Sequence, residues 1–239
     1  DCKGGVWMAR SSSAALPGMS RAARTAGWGW LPVYLVGLSF FLNWADRALG
    51  LGMDTVTMNI VYFCVNLAAV LVIFRNFLRQ AFFGRSFWDF LQALVLGAAI
   101  PYGGTYLVGR AATRLGVSLT LYNNDTVAGL LGSGGTAMLV MTVLAAPIIE
   151  ETLVRGLVFG SIRAGSRAVA YAAATAVFVF MHTWQYFLAY DPVSVAYSAL
   201  PYIPAAVALC FTYEKSGSIW AAISLHAIIN AVSVGLLQM

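Results

Sequence analysis

Charge is scarce in this chain. Only 10% of its 239 residues are Asp, Glu, Lys or Arg, and 60% are hydrophobic, whereas a soluble domain carries about 25% charged residues. That balance excludes an ordinary soluble protein and reads as an all-α, polytopic transmembrane helical bundle. Lysine is nearly absent: two Lys stand beside twelve Arg, and the formal net charge is +5. The basic residues sit at the ends of apolar runs, which suits membrane topology and anionic headgroups and argues against nucleic acid as a partner. Cysteine is also scarce. Cys2, Cys64 and Cys210 form no CxxC pair, so neither a disulfide framework nor a cysteine metal site is expected. No internal repeat and no long polar linker divides the chain.

What is present is a series of apolar runs near the roughly 20 residues that a spanning helix needs. They cover Trp28–Trp44, Thr55–Phe74, Phe87–Val108, Thr136–Gly160, Ala168–Phe187, Val195–Tyr213 and Ile219–Leu237. This predicts seven spanning helices. An eighth element, or a short interfacial helix, could lie within Gly116–Gly135, which otherwise reads as the longest loop. Residues 1–26 read as a flexible basic tail with Met8 and Met19 as candidate starts, and residues 27–239 as a single membrane domain. Lys3, Arg10, Arg21, Arg24, Arg75, Arg79, Arg85, Arg163, Arg167 and Lys215 fall on one side of such a bundle. Arg47, Arg110 and Arg114 fall on the other with Asp46, Asp54, Asp125 and Asp191. The bias predicts a cytoplasmic N-terminus, with the cytoplasmic membrane of a prokaryote as the expected location.

The least polar segments hold the rarest polar side chains. Glu150 and Glu151 interrupt one run, and His182 and His226, the chain's only histidines, interrupt two others. Ionisable groups in hydrocarbon are costly and usually mark a functional site. At the helical rise of about 1.5 Å per residue, Glu150 is about 20 Å from Arg163, His182 about 22 Å from Arg167, and His226 about 16 Å from Lys215. The three therefore share one depth. Glu151 and Arg155 are four residues apart and face each other on one helix surface. Glu150 points elsewhere, so the pair reads as one structural and one reactive glutamate. Pro147 just upstream loosens the backbone ladder. Phe178 and His182 stack on one face, and His226 and Asn230 aim two hydrogen-bonding groups at one point, as an oxyanion hole would require.

Together, EExxxR, FxxxH and HxxxN on successive helices resemble the CAAX protease and bacteriocin-processing family of intramembrane endopeptidases, which includes the type II CAAX prenyl endopeptidases. The resemblance spans residues 136–237. It implies hydrolysis of a peptide bond in a membrane-associated protein or peptide, whether CAAX-type processing or bacterial peptide maturation or immunity. By the same resemblance Glu150 and His182 activate water, His226 and Asn230 hold the oxyanion, and Glu151, Arg155 and Phe178 support the site. Glu150, His182 and His226 also offer a His₂Glu set for zinc. The HExxH helix is absent, and Asn230 beside His226 favours the metal-free alternative. The competing readings are a non-catalytic scaffold or immunity protein and a proton-coupled transporter. The oligomeric state is open. Trp184 and Tyr186 are candidates to line a substrate groove. Asn59 and Asn66 are expected to bond to neighbouring helices, Pro201 and Pro204 to kink the sixth helix, and Glu214 and Lys215 to form a solvated helix end.

Overall fold

A computed structural model describes residues 16–82 and 86–237. The expectations for residues 1–15 (Cys2, Lys3, Met8 and Arg10 among them) and for Arg85 lie outside the described residues. The described residues form helices and no strand, arranged as seven rods. These are α1 (Arg21–Leu49), α2 (Thr55–Phe82), α3 (Phe87–Arg114), α4 (Tyr122–Arg163), α5 (Arg167–Thr183), α6 (Pro192–Ser216) and α7 (Ile219–Leu237). Six of them are long and apolar enough to cross a membrane. The other, α5, has 17 residues and runs on into a tight 3₁₀ turn, Trp184–Leu188.

Side-chain chemistry sets the helix ends. Ser20 caps α1, accepting from the Ala23 N–H at 3.2 Å. The helix therefore begins at Arg21, and residues 21–26, read from sequence as tail, are its first turns. Arg and Ala are strong helix formers, which is why the rod extends beyond its apolar run. Asp54 accepts from Thr57 N at 2.7 Å ahead of α2, and this bond holds its carboxyl below the usual range. Ser166 and Asp191 cap α5 and α6 in the same manner. The sixth rod breaks at Leu200–Pro201, as its prolines predict.

The reading of Gly116–Gly135 as a loop holds for residues 116–121 and is overturned from Tyr122 on. Tyr122–Val140 is helical, with one non-helical residue, Gly135, at φ 49° and ψ −132°. Glycines lower helix propensity, but Leu131 and Met138 pack with Val234 of α7 against Val56, Ile60 and Phe63 of α2. That burial outweighs the cost of the glycines. Close approach elsewhere also depends on glycine. A Cβ on Gly97 of α3 would lie 2.0 Å from Thr212 Oγ1 of α6.

The rods alternate in direction, so one end of the bundle gathers the α2–α3, α4–α5 and α6–α7 turns. There Ser218 Oγ donates to Ala81 O at 2.9 Å, and Trp220 Nε1 donates to Leu78 O at 2.9 Å. Glu214 is no solvated end. Arg163, Arg167 and the Tyr171 hydroxyl all donate to its carboxylate, because the α4–α5 turn delivers two arginines to its side. Asn66 bonds across helices as expected, accepting from Trp30 Nε1 at 3.2 Å. Asn59 does not: its amide returns to Thr55 O of its own helix at 2.8 Å.

Candidate active site

Glu150 and Glu151 are adjacent in sequence, and helical geometry points them about 100° apart. Glu151 is fully buried and bonds through Oε1 alone; its Oε2, like Arg155 Nε, has no hydrogen-bond partner. Its Oε1 accepts from Arg155 Nη1 at 3.0 Å and lies 2.7 Å from His226 Nδ1. Arg155, also fully buried, donates its other terminal nitrogen to Ala206 O at 3.0 Å. Its guanidinium lies 4.4 Å from the centroid of the Phe178 ring. A buried ion pair is tolerated only when hydrogen bonds and contacts of this kind meet most of its needs.

Glu150 faces the other way. Its Oε1 accepts from the Tyr34 hydroxyl at 3.3 Å. Its Oε2 has no hydrogen-bond partner and lies 3.8 Å from His226 Nε2 and 4.0 Å from His182 Nε2. Both rings are fixed from behind. His182 Nδ1 is 2.8 Å from Phe178 O. A carbonyl can only accept, so that nitrogen carries the proton and a neutral His182 presents a bare Nε2 to Glu150. Phe178 packs on His182 at 4.5 Å between centroids, and Tyr202 stacks on the same ring at 4.9 Å. The Phe178 ring thus shields His182, stands edge-on to His226 and covers Arg155.

Asn230 lies one turn beyond His226 on α7. One of its amide hydrogens goes to Thr142 O at 2.9 Å, and the second is left for a ligand. Glu150, His182, His226 and Asn230 line a single cavity of about 760 Å³. Trp184 lines it too, whereas Tyr186 is buried beneath α4, its hydroxyl bonded to Thr126 at 2.9 Å. The structure thus brings together all the residues singled out by the three motifs. Sequence reasoning missed Tyr34, Tyr62, Thr142 and Tyr202. Tyr62 donates to Tyr34 O at 2.6 Å and so steadies Tyr34 from α2. One signal for Tyr34 was legible: it lies about 20 Å along α1 from Arg21, at the depth of Glu150.

The fit to zinc is incomplete. Among the described residues no three His, Cys, Asp or Glu side chains converge as a metal site. The Glu150–His separations of 3.8 and 4.0 Å exceed the about 3.4 Å kept by two ligand atoms on one tetrahedral zinc.

Residues 132–232 match the family described as type II CAAX prenyl endopeptidase Rce1-like. This segment of the chain is similar to that family. It runs from the first half of α4 into α7 and contains every motif residue from Glu150 to Asn230. Comparison with curated proteins and with solved structures returns no match. The six long apolar helices suit a multi-pass membrane protein.

Proposed function

We propose that the chain is an intramembrane endopeptidase that cuts a membrane-associated protein or peptide, with Glu150 as its general base. The observation that carries this reading is the Glu150 Oε2 atom, which lacks a hydrogen-bond partner and faces two imidazole Nε2 atoms at the floor of the cavity. Water in that space donates to Glu150 Oε2 and to His182 Nε2. Glu150 takes one proton as the water oxygen attacks the scissile carbonyl, then passes it to the leaving amide nitrogen. One C–N bond breaks, one C–O bond forms, and the proton count closes.

The oxyanion formed on attack needs donors already in place. Asn230 supplies its second amide hydrogen. His226 supplies Nε2–H when both ring nitrogens are protonated, its Nδ1–H held by Glu151. In that state the two carboxylates are balanced by Arg155 and His226, and the buried site is neutral. The support group of Glu151, Arg155 and Phe178 keeps His226 in this orientation.

The test is cleavage of a peptide library by the purified protein in detergent, with Glu150→Gln and a chelator in parallel. Cleavage that depends on Glu150 and survives chelation is expected. Cleavage lost to the chelator and restored by zinc would assign water activation to a metal. Equal cleavage by the Glu150→Gln variant would remove the reading altogether.

A further inference from the structure

We propose that Tyr202 is a substrate-binding residue, whose hydroxyl donates to a backbone carbonyl of the substrate beside the bond that is cut. This inference rests on the peptidase reading. Tyr202 opens the second half of α6, just past the break at Leu200–Pro201. Its ring stacks on His182 with 4.9 Å between centroids and 29° between planes. His182 is thus held between Tyr202 and Phe178, whose ring is 4.5 Å away. The stack accounts for an aromatic ring at position 202, and phenylalanine would supply that ring as well. It does not account for the hydroxyl.

Among the described residues the Tyr202 hydroxyl is buried and has no hydrogen-bond partner. Three other tyrosines around the site have theirs engaged: Tyr34 donates to Glu150, Tyr62 to Tyr34 O and Tyr186 to Thr126. A buried polar atom left alone is costly, and each such atom calls for an explanation. The surroundings of Tyr202 offer one. It lines the cavity that holds Glu150, His182, His226 and Asn230, so the missing partner is a group that enters that cavity.

The chemistry of the wall suits a peptide unit. Asn123, at the start of α4, lines the same cavity and is close to the Tyr202 hydroxyl. A phenol donates one hydrogen, and an amide oxygen accepts. A peptide unit has one acceptor and one donor, so Tyr202 and Asn123 match it together. Met181, Ala205 and Leu209 also line the cavity and are apolar. A carbonyl that leaves water for such a wall must regain a donor. The scissile carbonyl is met by Asn230 and His226 of α7, whereas Tyr202 stands on α6 beyond His182. An extended chain advances about 3.3 Å per residue, so a peptide unit one or two residues from the cut comes level with a ring 4.9 Å from His182.

Tyr202→Phe keeps the stacked ring and removes only the hydroxyl. With one peptide reporter and purified protein, KM is expected to rise about two- to tenfold, the effect of one lost hydrogen bond, while kcat stays within about twofold of wild type. The unfolding midpoint without peptide is expected at or above that of wild type, since no bond within the protein is lost. An unchanged KM overturns the proposal, because it leaves the phenol to packing alone. A loss confined to kcat overturns it too, because it puts the hydroxyl on the reacting atoms. A second arm replaces the peptide unit on one side of the cut, then on the other, by a trans-alkene of the same shape. On one side the wild type is expected to lose about two- to tenfold in kcat/KM and Tyr202→Phe to lose nothing further, for the two changes remove one bond. Additive losses on both sides overturn the proposal. A third arm measures binding of the unaltered peptide to the Glu150→Gln protein with and without Tyr202→Phe, and about two- to tenfold weaker binding is expected with it. Equal binding overturns the proposal. Weaker binding in that arm with no cleavage by the wild type upholds the contact and overturns the peptidase reading alone.

Discussion

Two neighbouring glutamates with identical side chains do different work because helix geometry gives them different surroundings. Glu151 meets Arg155 and His226; Glu150 meets one tyrosine and the Nε2 atoms of two imidazoles. Removing the Tyr34 hydroxyl tests this division. The hydroxyl donates to the Glu150 carboxylate at 3.3 Å. Tyr34→Phe should therefore lower the cleavage rate by about two- to tenfold, for a lost hydrogen bond is worth about 0.5–1.5 kcal/mol. An unchanged rate would show that Tyr34 only packs. Arg155 has a different signature. Arg155→Met leaves Glu151 buried without its partner, a loss of about 3–5 kcal/mol. Thermal unfolding in detergent should fall sharply, and activity should fall with it.

At the scale of elements, two helices, α1 and α4, wind loosely where they carry the site. π-helical turns cover Val33–Gly37, Met141–Ala145 and Thr152–Phe159, which hold Tyr34, Thr142 and Arg155. Such turns insert an extra residue and re-aim side chains, and they are frequent at functional sites. They also explain part of what was illegible in the sequence. The spacing of Glu151 and Arg155 was readable from four-residue periodicity, but the rotation of each helix about its axis was not. The stretch from Gly116 to Gly135 misled for another reason: its glycines looked like punctuation, while the contacts that make it a helix lie on α2 and α7. Gly116, in the turn before the helix, and Gly135, at the break, keep backbones that need glycine, at φ 68° and 49°. Gly135→Ala should cost about 1–3 kcal/mol of stability and lower the cleavage rate, since Leu130 and Met138 on either side of the break line the cavity. Wild-type unfolding and kinetics in that variant would contradict the account of the break.

For the molecule as a whole, the apolar runs made seven rods legible, and the three motifs made the half of the site on α4, α5 and α7 legible. The contribution of the first helices was not. Tyr34 and Tyr62 belong to no motif, and their role exists only because α1 and α2 pack beside α4. Glu214 was misplaced for a similar reason: a charge at a helix end reads as solvated until the neighbouring turn supplies its arginines. The claim on which the rest depends is that Glu150 acts as the base while Glu151 holds the frame. It is tested most directly by single-turnover cleavage of one peptide by the wild type and by Glu150→Gln, with thermal unfolding measured on both. The account predicts a rate loss of about 10²–10⁴-fold, the range for a missing general base, with the unfolding midpoint of the variant at or above that of the wild type. Cleavage within tenfold of wild type by a folded Glu150→Gln protein would contradict it.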